Sequence, residues 1–210
     1  QNAAPMKKYM RDQFEYLGLK HPEFTALLRR HIGAHGLPAL DQLDGILRAH
    51  MRLPNGTVLR NRLAKAAMSE TLGTYDNRPT PDLVQLYRRW AGSGLGLIIT
   101  GNVMIDRRAL GEPGNVAIED EADLPVLRQW AQAATGQGAA IWAQLNHPGK
   151  QSTKGLNAYN LAPSAVPFRE DMAAFFETPR EATTSEIQDI IQRFGRSAAI
   201  CNKAGFSGAQ

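Results

Sequence analysis

Apolar positions change their spacing near residue 50, and the change divides the chain into two styles. Over residues 1–50 the spacing is helical: Phe14 and Leu17 follow the Met6–Met10 stretch, and Gly18 marks a stop. Phe24, Leu27, Leu28 and Ile32 form a second stripe behind Pro22, broken by Gly33 and Gly36, and Leu40, Leu43, Ile46 and Leu47 form a third. Nothing here alternates with period two, so the pattern predicts a short all-α helical segment. From Met51 the punctuation differs. Asn55-Gly56 between Leu53-Pro54 and Thr57-Val58-Leu59 predicts a hairpin. Leu63–Met68 predicts a short buried strand. Thr80-Pro81-Asp82 supplies an N-cap, a first-turn proline and an acid for a helix with Leu83, Leu86, Tyr87 and Trp90 inward, ended at Gly92.

Leu95–Thr100 is an unbroken apolar run, the mark of a parallel strand covered on both faces. A helix over Leu124–Ala134 follows, stopped by Gly136 and Gly138, and Ala139–Leu145 again reads as strand. Thr183 with Glu186 makes a capping box for a helix whose stripe is Ile187, Ile190, Ile191, Phe194, Ala198 and Cys201. Gly205 ends that helix, and Phe206 opens one more strand. Strands alternating with helices predict an α/β parallel sheet over 51–210. The interruption Asn146–Arg180, rich in Pro, Gly, Ser and Asn, is too long for a connector and falls after a strand end, where α/β active sites lie.

Charge excludes little. Residues 1–50 carry 7 basic and 5 acidic side chains and the remainder 17 and 15, so no basic arm points to nucleic acid. No apolar run approaches the ~20 residues that span a bilayer, and no signal peptide opens the chain. The single cysteine, Cys201, excludes an internal disulfide and fits a reducing, cytoplasmic setting.

Most short motifs have plain structural accounts. Gly92-Ser-Gly-Leu-Gly96 ends a helix and opens a strand, the reverse of a dinucleotide loop, so it reads as a close turn. His31 and His35 have no third ligand and read as exposed helix-end residues, so no metal site is expected. Arg88-Arg89 and Arg107-Arg108 read as solvated or ion-paired surface, and Trp90, Trp130 and Trp142 as packing. Three polar residues are more informative: Ser69, Asn102 and Gln144 each stand at the C-terminal end of a predicted strand. Any one alone could merely cap its strand, but in a barrel all three point into one mouth. The Gln144 amide carries a donor and an acceptor, which suits a flat heterocycle edge.

Residues 53–62 (Leu-Pro-Asn-Gly-Thr-Val-Leu-Arg-Asn-Arg), 66–69 (Ala-Ala-Met-Ser) and 96–102 (Gly-Leu-Ile-Ile-Thr-Gly-Asn) come in a familiar order. They are followed by 144–151 (Gln-Leu-Asn-His-Pro-Gly-Lys-Gln), 162–164 (Ala-Pro-Ser), Thr184-Ser-Glu-Ile and Ala204-Gly-Phe-Ser-Gly208. In these motifs the segment resembles the N-terminal part of the old yellow enzyme family, FMN-dependent NADH:flavin oxidoreductases built on a (β/α)8 barrel. The resemblance implies FMN as cofactor, NAD(P)H as reductant and an activated alkene or similar small molecule as acceptor. It implies that backbone at Ala66, Ala67 and Met68 flanks the flavin ring and that the Ser69 hydroxyl reaches its redox-active side. Asn102 would lie beside the ring, Gln144 would pair with its pyrimidine edge, and His147-Pro148-Gly149 would begin a loop over the site.

The match has departures. Ala67 stands where many members have proline and Lys150 where they often have arginine. The family's pair that holds the acceptor carbonyl, His with His or Asn, would fall just beyond Gln210, so no catalytic residue is assigned. Only 160 residues follow position 50, against ~250 for a typical barrel. The expectation is a partial barrel with an unpaired apolar edge, dependent on a partner or prone to aggregate, and inactive alone. Residues 1–49 resemble the start of DNA alkylation-repair proteins built from HEAT-like repeats, through Pro5-Met6, Phe14-Glu-Tyr-Leu-Gly-Leu-Lys20 and Ala26-Leu-Leu28. The organisation expected is therefore 1–50 as an α-helical fragment and 51–210 as the N-terminal half of a flavin-binding barrel. The alternatives are a DNA-binding helical module and a non-functional fusion of two partial frames.

Overall fold

The structure is a computed structural model that describes residue 30 and residues 45–210. The chain divides into two compact units, Gln1–Ala49 and His50–Gln210. In the first, residues 45–48 are helical. The earlier predicted helices, the motifs of the DNA-repair resemblance, and His31 and His35 lie outside the described residues.

The second unit opens with the predicted hairpin: β1 (Met51–Arg52) pairs antiparallel with β2 (Val58–Leu59), and Gly56 takes the left-handed φ of 89° that the turn needs. A parallel sheet follows, built from β3 (Ala64–Lys65), β4 (Leu97–Met104), β5 (Val116–Ala117), β6 (Ala140–Asn146) and β9 (Gly208–Ala209). Its path is β3-β4-β6-β9. Since β6 runs along one edge of β4, both β3 and β5 occupy the other, β3 at Leu97–Ile98 and β5 at Val103–Met104. Between β6 and β9 the chain forms a small parallel pair of its own, β7 (Leu161–Ala162) with β8 (Arg180–Glu181).

Three helices connect the strands: α1 (Pro81–Ala91), α2 (Leu124–Thr135) and α3 (Thr184–Ala204). The Thr80 side chain caps α1 by accepting from Leu83 N, as its sequence signature implies. On α3 the capping box is complete, with Thr183 and Glu186 each bonding the other's backbone N–H, and Gly205 closes the helix at φ 94°.

Several expectations need correcting. The predicted strand 63–68 keeps only Ala64–Lys65 and leaves Met68 58% exposed, because its partner β4 bulges beyond Ile99. Strand β4 runs past Thr100 to Met104, since β5 and β6 both offer it pairing there. On α1 the buried face is Leu83, Val84, Tyr87 and Ala91, rotated from the expected one, with Leu86 and Trp90 half-buried. On α3 only Ser197, Ile200, Cys201 and Ala204 are buried, whereas Ile187 and Ile191 are exposed.

The core lies between the sheet and the helices. Trp130 is its hinge-pin: its ring meets Tyr87 edge-on at 5.2 Å and Phe206 at 5.4 Å, joining α2 to α1 and to the approach to β9. Such pairs add about 0.5–1.5 kcal/mol beyond burial. The Trp130 Nε1 is buried with no hydrogen-bond partner among the described residues. Trp130→Ala should therefore lower unfolding free energy by about 3–5 kcal/mol. Trp130→Phe should cost less, because it deletes an unpaired N–H along with the lost volume. Denaturant titration of the two variants checks the order.

Candidate active site

The site is organised by an irregularity in β4. Its pairing with β6 runs Leu97↔Ala140, Ile98↔Ile141, Ile99↔Trp142, then resumes at Asn102↔Gln144. Thr100 and Gly101 thus oppose Ala143 alone, a bulge of one residue. The buried Thr100 hydroxyl fills the gap, accepting from Gln144 N at 2.9 Å while donating to Gly101 O at 2.7 Å. On the other edge Gly101 N is freed between β3 and β5. It donates to Glu70 Oε1 at 2.8 Å, and Tyr87 Oη donates to the same oxygen. Burial and the Glu70 charge both push the Tyr87 phenol well above its ordinary range, so it stays a donor. Glu70 therefore ties the segment after β3 to β4 where strand pairing has lapsed. Gly101 is needed because an added Cβ would overlap Met68 O and the Glu70 carboxylate.

Beyond the bulge, Asn102 and Gln144 are register partners on parallel strands, so their side chains share a face. With Ala67, Met68 and Ser69 they line one cavity of about 650 Å³. Ala66 does not line it; its carbonyl instead accepts from Lys65 Nζ. The serine, asparagine and glutamine picked from the sequence are thus brought together. Asn102 lies inside its strand rather than after it, because β4 outlasts its apolar run, whereas Gln144 stands near the end of β6 as expected. Gln144 Nε2 donates to Gln210 Oε1 at 3.0 Å, and Asn102 Oδ1 accepts from Asn115 Nδ2 at 3.3 Å. Each strand amide is therefore held by a neighbour.

The long segment after β6 supplies the far wall. Thr153 and Phe176 bridge in antiparallel fashion and both line the cavity, and Phe176 stacks on Phe168 at 4.5 Å. His147 does not sit over this cavity. Its Nδ1 accepts from Gly149 N at 3.2 Å, and the ring lines a separate cavity of about 200 Å³ with Asp106, Arg108, Tyr159 and Asp189, leaving Pro148 in the first wall. Burial pushes the His147 pKa below its ordinary value, against the nearby Asp106 charge. Of the two arginine pairs expected to be solvated or ion-paired, Arg107 and Arg108 are ion-paired, to Glu119 at 2.8 Å and to Asp106 at 2.7 Å.

Sequence reasoning missed Glu70, Thr100, Asn115, Phe176 and Gln210. The acid directly after Ser69 was a usable signal. Thr100 reads as an ordinary β-branched strand residue, and Phe176 reaches the site only through contacts remote in sequence.

Residues 51–210 match the profile of the NADH:flavin oxidoreductase / NADH oxidase family. The chain belongs to that family. It is 34% identical over 172 residues to the NADH-dependent flavin oxidoreductase iliE of Hypocrea jecorina, covering 74% of this chain and 43% of that protein. The NADH oxidase of Thermoanaerobacter brockii is 34% identical over 160 residues, covering 73% and 23%. Among solved structures, the old yellow enzyme homologue from Zymomonas mobilis superposes with a TM-score of 0.69 at 26% identity, over 78% of this chain and 47% of that one. Morphinone reductase in complex with tetrahydroNAD superposes with a TM-score of 0.67 at 25% identity, over 78% and 48%. The chain spans less than half the length of these family members. Its sheet and helices are a partial (β/α)8 barrel of the old yellow enzyme type, with the cavity at the C-terminal ends of the barrel strands, where such folds place their active sites.

Two outcomes follow from this geometry. Gly101→Ala should destabilise the unit by about 1–3 kcal/mol, read by denaturant titration, because the new methyl meets the backbone carbonyl of Met68, which cannot swing away, as well as the Glu70 carboxylate. For His147, a folded pKa below the ordinary 6.5 means the fold prefers the neutral ring. Its contribution is complete above 6.5 and is lost as pH falls from there through the folded value. Thermal midpoints of His147→Gln should accordingly fall less steeply than wild type below pH 6.5.

Proposed function

We propose that the 650 Å³ cavity holds the ring of FMN and that Ala67, Met68, Ser69, Asn102 and Gln144 are its contacts in this chain. When bound, FMN supplies a hydride relay from NAD(P)H to an activated alkene or similar small-molecule acceptor. The observation that carries the reading is the register pair Asn102↔Gln144 facing the Ser69 segment across one cavity. A hydroxyl and two carboxamides match the alternating donors and acceptors of a flavin edge, and Met68, Leu145 and Phe176 give the ring apolar surface. The donor set fits the ring. It does not serve the phosphate: no lysine or arginine lines the cavity among the described residues, and Glu112 does.

Within this site Ser69 offers its O–H to the ring, Gln144 reads its edge, and Phe176 covers it and excludes water. The family's activity, its acceptor and the groups that hold the acceptor belong to the whole protein of this type. No described helix is long and apolar enough to cross a membrane. Burial pushes the Cys201 thiol up to about 12, so it stays an unreactive packing group; it is the presence of one cysteine in 210 residues that supports a reducing, cytoplasmic setting.

Flavin fluorescence quenching tests the reading. Riboflavin should bind saturably, and FMN within about tenfold of it, because the phosphate meets no cation in this cavity. Gln144→Leu should weaken riboflavin about fivefold, the worth of one net hydrogen bond. Quenching that does not saturate, or that is indifferent to Gln144→Leu, would remove the ring from this cavity.

A further inference from the structure

Asn102 can enter the cavity with either end of its carboxamide, and what lies behind it decides which. Asn115, just before β5, is 2% exposed. Its Oδ1 accepts from Gly111 N at 3.0 Å and Glu112 N at 2.9 Å. Two converging backbone N–H groups can be met only by an acceptor, so the Asn115 oxygen must face the 111–112 turn and its NH2 must face Asn102. Asn115 Nδ2 then donates to Asn102 Oδ1 at 3.3 Å. That leaves Asn102 Nδ2 directed at the cavity beside Gly111, 3.5 Å from where a Cβ on that glycine would stand. Asn115 is itself anchored, for its carbonyl accepts from Asn77 Nδ2 at 3.0 Å, and Asn77 is buried.

We propose that Asn115 is a positioning residue that sets the polarity of the cavity: it locks Asn102 as a hydrogen-bond donor, so the ligand atom opposite must be an acceptor. The inference rests on the flavin reading and deepens it by assigning which kind of ring atom, a carbonyl oxygen or an unprotonated nitrogen, meets β4. The relay runs from two backbone N–H groups through Asn115 to Asn102 and needs no charge. Asn115 touches neither cavity nor ligand; it acts through Asn102 alone.

Asn115→Asp tests this with little change of shape. The introduced carboxylate still accepts from Gly111 and Glu112 but offers Asn102 no donor at neutral pH. The Asn102 amide should turn over, bond the carboxylate through Nδ2 and place Oδ1 in the cavity. Side-chain amide resonances of 15N-labelled protein, with the Asn102 pair assigned by its loss in Asn102→Asp, read the turn directly. In wild type that NH2 should exchange fast with water and shift on adding riboflavin. In Asn115→Asp it should be protected and unresponsive, and riboflavin should bind about tenfold more weakly because two acceptors would then face each other. Asn102→Asp, which keeps its acceptor toward Asn115 and presents oxygen to the cavity, should show a similar loss whether or not the first variant folds well. An Asn102 NH2 signal unchanged by Asn115→Asp, or riboflavin affinity unchanged by Asn102→Asp, would overturn the proposal. If wild type does not bind riboflavin at all, the ring reading fails, while amide exchange still decides what Asn115 does to Asn102.

Discussion

Strands β4 and β6 lie side by side through six register pairs, and midway along them β4 carries one residue more than its partner. That extra residue turns Gly101 N out of the ladder on one edge and forces Thr100 to satisfy Gln144 N with its hydroxyl on the other. An unpaired backbone N–H in a buried sheet costs about 1–3 kcal/mol, and here a carboxylate meets it at 2.8 Å with the Tyr87 hydroxyl beside it at 3.2 Å. Glu70 is that carboxylate, and it holds the Met68–Ser69 segment beside β4 where β3 has stopped. One irregularity thus aligns Asn102 with Gln144 and brings Ser69 up to both.

Around that alignment, the polar groups of the cavity are arranged by hydrogen bonds among neutral side chains. Gln144 is held by Gln210, and Asn102 by Asn115, which is fixed in turn by the backbone of residues 111–112. Amides held this way keep a defined donor and acceptor direction without the desolvation cost of buried charge. Apart from Glu112 on the lining, charge is placed elsewhere. Arg107, Arg108 and Arg193 meet Asp106, Glu119, Asp123 and Asp189 in a network away from the cavity wall. This separation suits a site that recognises a planar heterocycle by its edge.

The segment between β6 and α3 does more than connect. The β7–β8 pair and the Thr153–Phe176 bridge give it a fixed shape, and the Phe168–Phe176 stack sets an aromatic wall across from the strand amides. At its root, the bond from Gly149 N to His147 Nδ1 sends the imidazole to one cavity and Pro148 to the other. A reading based on residue type alone would place the histidine at the reactive site; the backbone turn decides otherwise.

Much of this was legible in the chain itself. Asn55-Gly56, Thr80-Pro81 and Thr183-x-x-Glu186 act through neighbours two to four residues away, so their hairpin and helix caps follow from local chemistry. The apolar runs at 95–100 and 139–145 likewise announce buried parallel strands, and the order of short motifs announces the family. What tertiary structure alone decided is where those strands end and which way the polar groups between them point. Strand β4 outlasts its apolar run because β5 and β6 lend it partners, while 63–68 loses strand form because a bulge takes its partner away. The exposure of Ile187 and Ile191, the turn of His147 and the polarity of Asn102 each depend on groups far off in sequence. Periodicity records which residues prefer burial; it carries no information on which distant donor meets which acceptor, and that pairing shapes the site.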